Sequence, residues 1–246
     1  MKRPAALLDL DGTLHPRTLG AQMLRELLRA GASRDSAAGA ALTAIGVIEG
    51  RAEKSASFLT TVDEVYTNYT TMVAGLPHSM LVQAAGQAWQ AERHAVFDFV
   101  PVLLADLTAR GFVLALISGS PQEMVKEAGS ALGISHCYGA QVTVVEGHCQ
   151  GRLERAPGYP GEKTRCLADL AAQIPLDLPR SLTLGNSASD IEILNAVGHP
   201  VAFEPDQELS TAAQRHGWPS ADRDTALRTC VNSIESAPMK SPSRRT

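Results

Sequence analysis

A set of short apolar runs without alternation, each ending abruptly in polar residues, narrows the possible folds most. Ala5-Ala6-Leu7-Leu8 leads into Asp9-Leu10-Asp11-Gly12-Thr13, Phe112-Val113-Leu114-Ala115-Leu116-Ile117 into Ser118-Gly119-Ser120-Pro121, and Leu182-Thr183-Leu184 into Gly185-Asn186-Ser187. A strand with one wet face alternates apolar and polar residues, whereas a strand covered on both faces by helices is apolar throughout. The runs therefore predict strands of a parallel sheet, with Val201-Ala202-Phe203 as the last of them.

Between the runs the period becomes helical. Leu19, Met23, Leu24, Leu27 and Leu28 share one helix face, with Thr18 as expected N-cap and Gly31 as the stop. Leu103, Leu104 and Leu107 mark another helix ending at Gly111, and further helices are expected over 122–132, over 162–172 and from Asp190. Residues 141–145 and 149–153 read as a hairpin turned at Glu146-Gly147. This alternation predicts the α/β class: a doubly wound parallel sheet with a Rossmann-like core. The Ala-rich segment 33–95 lacks a convincing strand and has helix-forming blocks at 37–48, 57–73 and 80–93, which predicts an inserted helical cap domain. The expected division is a core of 1–16 and 97–235, a cap of 17–96, and a disordered tail over 236–246.

Composition excludes several function classes. With 246 residues, 44% of them hydrophobic, the chain can bury a real core, and a net charge of -4 without a basic stripe gives no footprint for nucleic acid or an anionic membrane. The longest apolar stretch, 100–117, carries Asp106 and Arg110, and the N-terminal apolar run is too short for a secretory segment, so a cytoplasmic location is expected. Cys137, Cys149, Cys166 and Cys230 lack metal-binding spacing and are read as reduced thiols. A small phosphorylated metabolite is the expected partner.

Ligands of such sheets bind beyond the carboxyl ends of the strands. Three of those ends carry chemistry: Asp9 with Asp11, Ser118 with Gly119, and Asn186 with Asp190. An aspartate after a strand is by itself often only a turn or cap residue; three such clusters together point to one site. Hydrolysis of a phosphate ester needs a nucleophile, a proton for the leaving oxygen and positive charge around the transferring group. Asp9 can be the nucleophile, and Asp11, two residues on, the general acid and then the general base. The two carboxylates require a cation beside an anionic substrate, and an oxygen-only donor set suits Mg2+. Asp9, the backbone carbonyl of Asp11, and Asn186 or Asp190 are the expected donors. Ser118 and the amides after it can cradle phosphate oxygens at a helix start, Lys163 can compensate charge, and His15 and Arg17 can read an anionic substrate.

Asp9-Leu10-Asp11-Gly12-Thr13, Ile117-Ser118-Gly119-Ser120, Lys163 and Gly185-Asn186-Ser187-Ala188-Ser189-Asp190 resemble, in order, the four motifs of the haloacid dehalogenase superfamily. The helical segment after the first motif, the hairpin before Lys163, and the stretches 198–205 and 217–219 resemble its phosphoserine-phosphatase-like branch. The resemblance implies a phosphoaspartate mechanism, Mg2+ and a cap closing over small substrates, and the second aspartate implies phosphate chemistry rather than dehalogenation. The chain departs from the family in two places. Asn186 stands where an aspartate usually binds the metal, which implies either weaker metal binding or a larger share for Asp190, and Thr18 stands near the position of the cap glutamate that meets the serine ammonium. Transfer of the phosphoryl group to an acceptor alcohol, and a non-catalytic phosphate-binding role, remain alternatives to hydrolysis.

Overall fold

A computed structural model of the chain describes residues 2–32, 35–49 and 58–236. Of the expected cap, 33–34 and 50–57 lie outside the described residues, as does the expected tail from 237 onward.

The chain runs β1 (Ala5–Leu8), α1 (Leu19–Arg29), α2 (Asp35–Glu49), α3 (Phe58–Val73), α4 (His78–Glu92), α5 (Phe99–Ala109), β2 (Val113–Pro121), α6 (Gln122–Leu132), β3 (His136–Val145), β4 (His148–Arg155) and α7 (Glu162–Gln173). It continues through β5 (Leu182–Gly185), α8 (Ile191–Asn195), β6 (His199–Phe203), α9 (Gln207–His216), β7 (Ser220–Ala221) and α10 (Ala226–Glu235). Among the described residues the strands form one seven-stranded sheet in the order β4-β3-β2-β1-β5-β6-β7. Every neighbouring pair is parallel except β3 and β4. β1 is central, with Leu7 opposite Ala115 on one side and Thr183 on the other.

All four residues of β1 are buried, and they divide by parity. Ala6 and Leu8 join the cluster that includes Leu24, Leu104, Met124 and Cys230, while Ala5 and Leu7 join Cys166, Leu170 and Ile193. The sheet is thus covered on both faces, as its unalternating runs require. The strand order reverses beside β1, since β2 and β3 lie to one side and β5, β6 and β7 to the other. Its carboxyl end therefore opens into the crevice where such sheets bind ligands.

Helix α6 starts and stops at the expected residues, ending on Gly133 in the left-handed region at φ 72°. The expected hairpin forms around Glu146 and Gly147, both at positive φ (48° and 77°), as a turn matched to strand twist requires. The structure adds elements that short, mixed patterns had hidden. α9 is capped by the Asp206 side chain on the Leu209 amide at 2.8 Å, β7 pairs with β6 through Phe203 and Ala221, and α10 packs against β6. Two expected boundaries change. β2 does not end at Ile117; it runs on to Pro121, which pairs with Ala140 after a register shift. Helix α8 begins at Ile191, preceded by a 3-10 turn over Ala188–Asp190.

The segment between β1 and β2 is helical, as expected: α2 packs on α3, and α1 on α4. All four cysteines are free thiols. Among the described residues no helix is long and apolar enough to cross a membrane.

Candidate active site

Asp9 follows β1 on the same parity as Leu7, so its side chain turns to the face covered by α7. That helix buries Cys166, Leu167 and Leu170 against the sheet and carries Lys163 in its first turn. Lys163 is 2% exposed, and its Nζ donates to Asp9 Oδ1 at 2.8 Å and to Asp190 Oδ1 at 2.5 Å. Thr13 Oγ1 donates to the other Asp9 oxygen at 3.0 Å.

The other oxygen of Asp190 accepts the amides of Asn186 (3.1 Å) and Ser187 (3.0 Å) and the Ser187 hydroxyl (3.2 Å). Gly185 makes room for this turn, because a Cβ there would lie 2.5 Å from the Asp190 carboxyl carbon. Asp190 is fully buried and stands outside the cavity lining. Of the expected metal donors, Asp9, Asp11 and Asn186 line the cavity, whereas the Asp190 oxygens meet Lys163 and its own turn.

Asp11 faces the helical segment. Its Oδ1 accepts the Leu19 amide at 2.7 Å, and its Oδ2 accepts the hydroxyls of Ser120 at 2.6 Å and Ser118 at 3.1 Å. Ser120 Oγ in turn accepts the Gly20 amide at 3.0 Å. Thr18 does occupy the N-cap of α1, yet its side chain makes no cap bond; Asp11 performs that service from eight residues upstream. The expected cradle also changes. Ser118 lies inside β2 rather than at a helix start, and the Ser120 amide donates back to the Ser118 hydroxyl at 3.1 Å. The Gly119 carbonyl accepts the Tyr66 hydroxyl from α3 at 3.1 Å, and that hydroxyl accepts the Gly158 amide at 2.8 Å.

Burial pushes the Asp9 carboxyl up to about 7, with Lys163 pulling the other way and Asp190 adding to the rise. Burial likewise raises Asp11, against the stabilising bonds from Ser120, Leu19 and Ser118. Lys163 is raised as well: burial disfavours its charge, but Asp190 and Asp9 outweigh that. Asp9 and Asp190 thus share one ammonium, and among the described residues Asp11 is bonded to hydroxyls and an amide rather than to a cation, leaving a deficit of positive charge.

Asp9 and Asp11 form the floor of a cavity of about 760 Å3 whose walls include Ser118, Gly119, Asn186, Tyr66 and Tyr69. Gly12, at φ 77°, lets the Asn186 side chain lie against the first motif; a Cβ at Gly12 would sit 2.0 Å from Asn186 Nδ2. Among the described residues no three His, Cys, Asp or Glu side chains converge as a preformed metal cage. The oxygen-bearing groups of Asp9 and Asn186 that line the cavity, together with the charge deficit, nonetheless fit a hard divalent cation that keeps several waters.

His15 and Arg17 stand apart from this cavity. His15 is fully buried, with Nδ1 accepting the Arg17 amide (3.2 Å) and Nε2 3.1 Å from the Glu92 carbonyl; the Arg17 guanidinium meets the Glu92 carboxylate at 3.2 Å. Both tie the loop after the first motif to the end of α4. Sequence reasoning missed Ser120 as a ligand of Asp11, Tyr66 as a bridge, and Glu204 and Asp206 at the rim of the cavity. The Ser118-Gly119-Ser120 doublet carried a signal for the first; the bridge spans 53 residues and carried none.

The family model for haloacid dehalogenase-like hydrolases matches residues 6–195. The "Inhibition of morphological differentiation protein" of Streptomyces azureus is 30% identical over 128 residues, 52% of this chain and 46% of that protein. A "Probable phosphatase" of Mycobacterium tuberculosis is 28% identical over 177 residues, 68% of this chain and 59% of its own length. The chain thus spans about half the length of these curated relatives. A solved structure described as "Phospho-Aspartyl Intermediate Analogue of Phosphoserine phosphatase" shares the fold at a TM-score of 0.66 and 18% identity, covering 95% of this chain and 100% of that one. The family match starts within β1, runs to the end of α8 and encloses Asp9, Asp11, Lys163 and Asp190, and the chain belongs to the haloacid dehalogenase-like hydrolase family.

Proposed function

We propose that the protein is a magnesium-dependent phosphatase that hydrolyses a small phosphate monoester through an aspartyl-phosphate on Asp9. The observation that carries this reading is the floor of the cavity, where a carboxylate held by Lys163 and Thr13 stands two residues from a second carboxyl of raised proton affinity. One group is positioned to attack, and the other, bonded to two hydroxyls and an amide with its proton affinity raised by burial, is positioned to pass a proton.

An Asp9 oxygen attacks phosphorus as the ester P–O bond breaks, and Asp11 gives its proton to the departing alkoxide. Ser118, Ser120 and the Leu19 amide then stabilise the Asp11 carboxylate. In the second half Asp11 takes a proton from water, the water oxygen attacks phosphorus, and the bond to Asp9 breaks to release phosphate. Lys163 holds Asp9 in one orientation throughout, and Asp190 holds Lys163. Asp9, the backbone carbonyl of Asp11 and Asn186 would hold Mg2+, which when bound neutralises charge on the transferring phosphoryl group.

The test is phosphate release from a panel of monoesters with Mg2+ present or chelated. Wild type should be active only with the metal, Asp9→Asn should be inactive, and Asn186→Asp should reach half-maximal activity at lower Mg2+. Release that survives Asp9→Asn unchanged would refute the mechanism.

A further inference from the structure

We infer that the alcohol half of the substrate is uncharged and largely apolar, and bulkier than serine. The inference rests on the phosphatase reading and specifies what that site accepts.

The phosphoryl group must meet Asp9, and the leaving oxygen must come within reach of Asp11. Asp11 faces the start of α1 through its bond to the Leu19 amide, so the alcohol leaves Asp11 beneath the helices. Beyond Thr18 and Gly20 at the start of α1, the described helical wall includes Leu24 from α1, Ile45 from α2, and Val62, Val65, Tyr66 and Tyr69 from α3. None of these carries a charge; the Tyr66 hydroxyl is already committed to Gly119 and Gly158, while the buried Tyr69 hydroxyl has no hydrogen-bond partner among the described residues and is open to one uncharged polar atom of the alcohol. Among the described residues no lysine or arginine lines the cavity. Besides Asp9 and Asp11, the described ionisable groups at the cavity are Glu204, paired with Arg223, and Asp206, which accepts the amides of Ala188 and Leu209. Among the described residues a substrate carboxylate would therefore meet no positive partner at the cavity, and an ammonium against the helical wall would be desolvated without compensation.

Size points the same way. At ~30 Å3 for each non-hydrogen atom, the eleven such atoms of phosphoserine would fill roughly 330 Å3, whereas the cavity measures about 760 Å3. The lining of that space combines the aliphatic and aromatic side chains of the helices with Ser187, Ser189 and Gln207.

A series of n-alkyl phosphates from methyl to hexyl tests this, with O-phosphoserine and glycerol 3-phosphate as charged and polyol comparators, all at saturating Mg2+. Each buried methylene should raise kcat/KM by about fourfold, and hexyl phosphate should exceed both comparators. Val65→Asp should flatten the slope of log kcat/KM against chain length, a readout that compares esters within one variant and so is insensitive to the amount of folded enzyme. A flat wild-type series, either comparator surpassing hexyl phosphate, or an unchanged slope in Val65→Asp would overturn the inference while leaving the phosphatase reading standing. Inactivity on every ester would overturn both.

Discussion

Replacing Lys163 with methionine removes the only ammonium between two buried carboxylates while keeping much of the side chain's length. In the wild type the Nζ lies 2.8 Å from Asp9 Oδ1 and 2.5 Å from Asp190 Oδ1, and Lys163 is 2% exposed. Without it, each carboxyl must remain charged in a site of low polarity or take up a proton. Protonation at pH 7 of a group with an ordinary value of 3.8 costs ~4 kcal/mol. That escape route limits the loss for each carboxyl, and it agrees with the roughly 3–5 kcal/mol typical of breaking a buried pair. We expect Lys163→Met to lose about 3–5 kcal/mol in urea unfolding followed by circular dichroism, and to lower the thermal midpoint by roughly 6–20 °C. Adding Asp190→Asn deletes one orphaned charge, so the double variant should recover more than about 1 kcal/mol relative to Lys163→Met. A loss under about 1 kcal/mol for Lys163→Met, or a double variant no more stable than the single one, would refute the view that this cluster is energetically coupled.

Other substitutions address separate contacts. Gly12→Ala should destabilise by at least about 1–2 kcal/mol from the left-handed backbone alone, and should lower activity further because the new methyl meets the Asn186 amide; denaturation and turnover read the two effects independently. Tyr66→Phe leaves the Gly119 carbonyl and the Gly158 amide without their shared partner, at a cost of about 1–3 kcal/mol in urea unfolding. Asp11→Asn should slow alkyl phosphates by roughly 10²–10⁴-fold, and p-nitrophenyl phosphate much less because its leaving group needs little protonation. Equal losses for both substrates would remove Asp11 from the acid role.

Much of the core could be read from sequence because its signals are local. The unalternating β1 run requires cover on both faces, and counting parity from Leu7 carries Asp9 to the face where α7 presents Lys163. Helix α6 is bounded by Pro121 before it and Gly133 after it, two residues whose backbone preferences act at a single position. What stayed hidden depends on direction after a chain reversal. The spacing of Asn186 and Asp190 says that they share a turn; it does not say that the amides of this turn would draw the carboxylate inward and away from the cavity. His15 and Arg17 looked available because they follow the first motif, but Glu92 lies more than seventy residues away in sequence and engages both. Strand β7, with two residues, is too short for any periodicity to emerge.

The bonds from Asp11 to the Leu19 amide and from Ser120 to the Gly20 amide join the acid of the proposed reaction to the first turn of α1. A carboxylate that also terminates a helix cannot change its proton affinity without changing how firmly that helix is anchored. The seating of the helical segment and the readiness of the acid are therefore one variable: a displacement of α1 that costs Asp11 the Leu19 bond raises its hold on the proton, and reseating lowers it. In the proposed reaction, proton donation is then strongest when the helical segment is seated, so a single side chain ties the acid step to the position of α1.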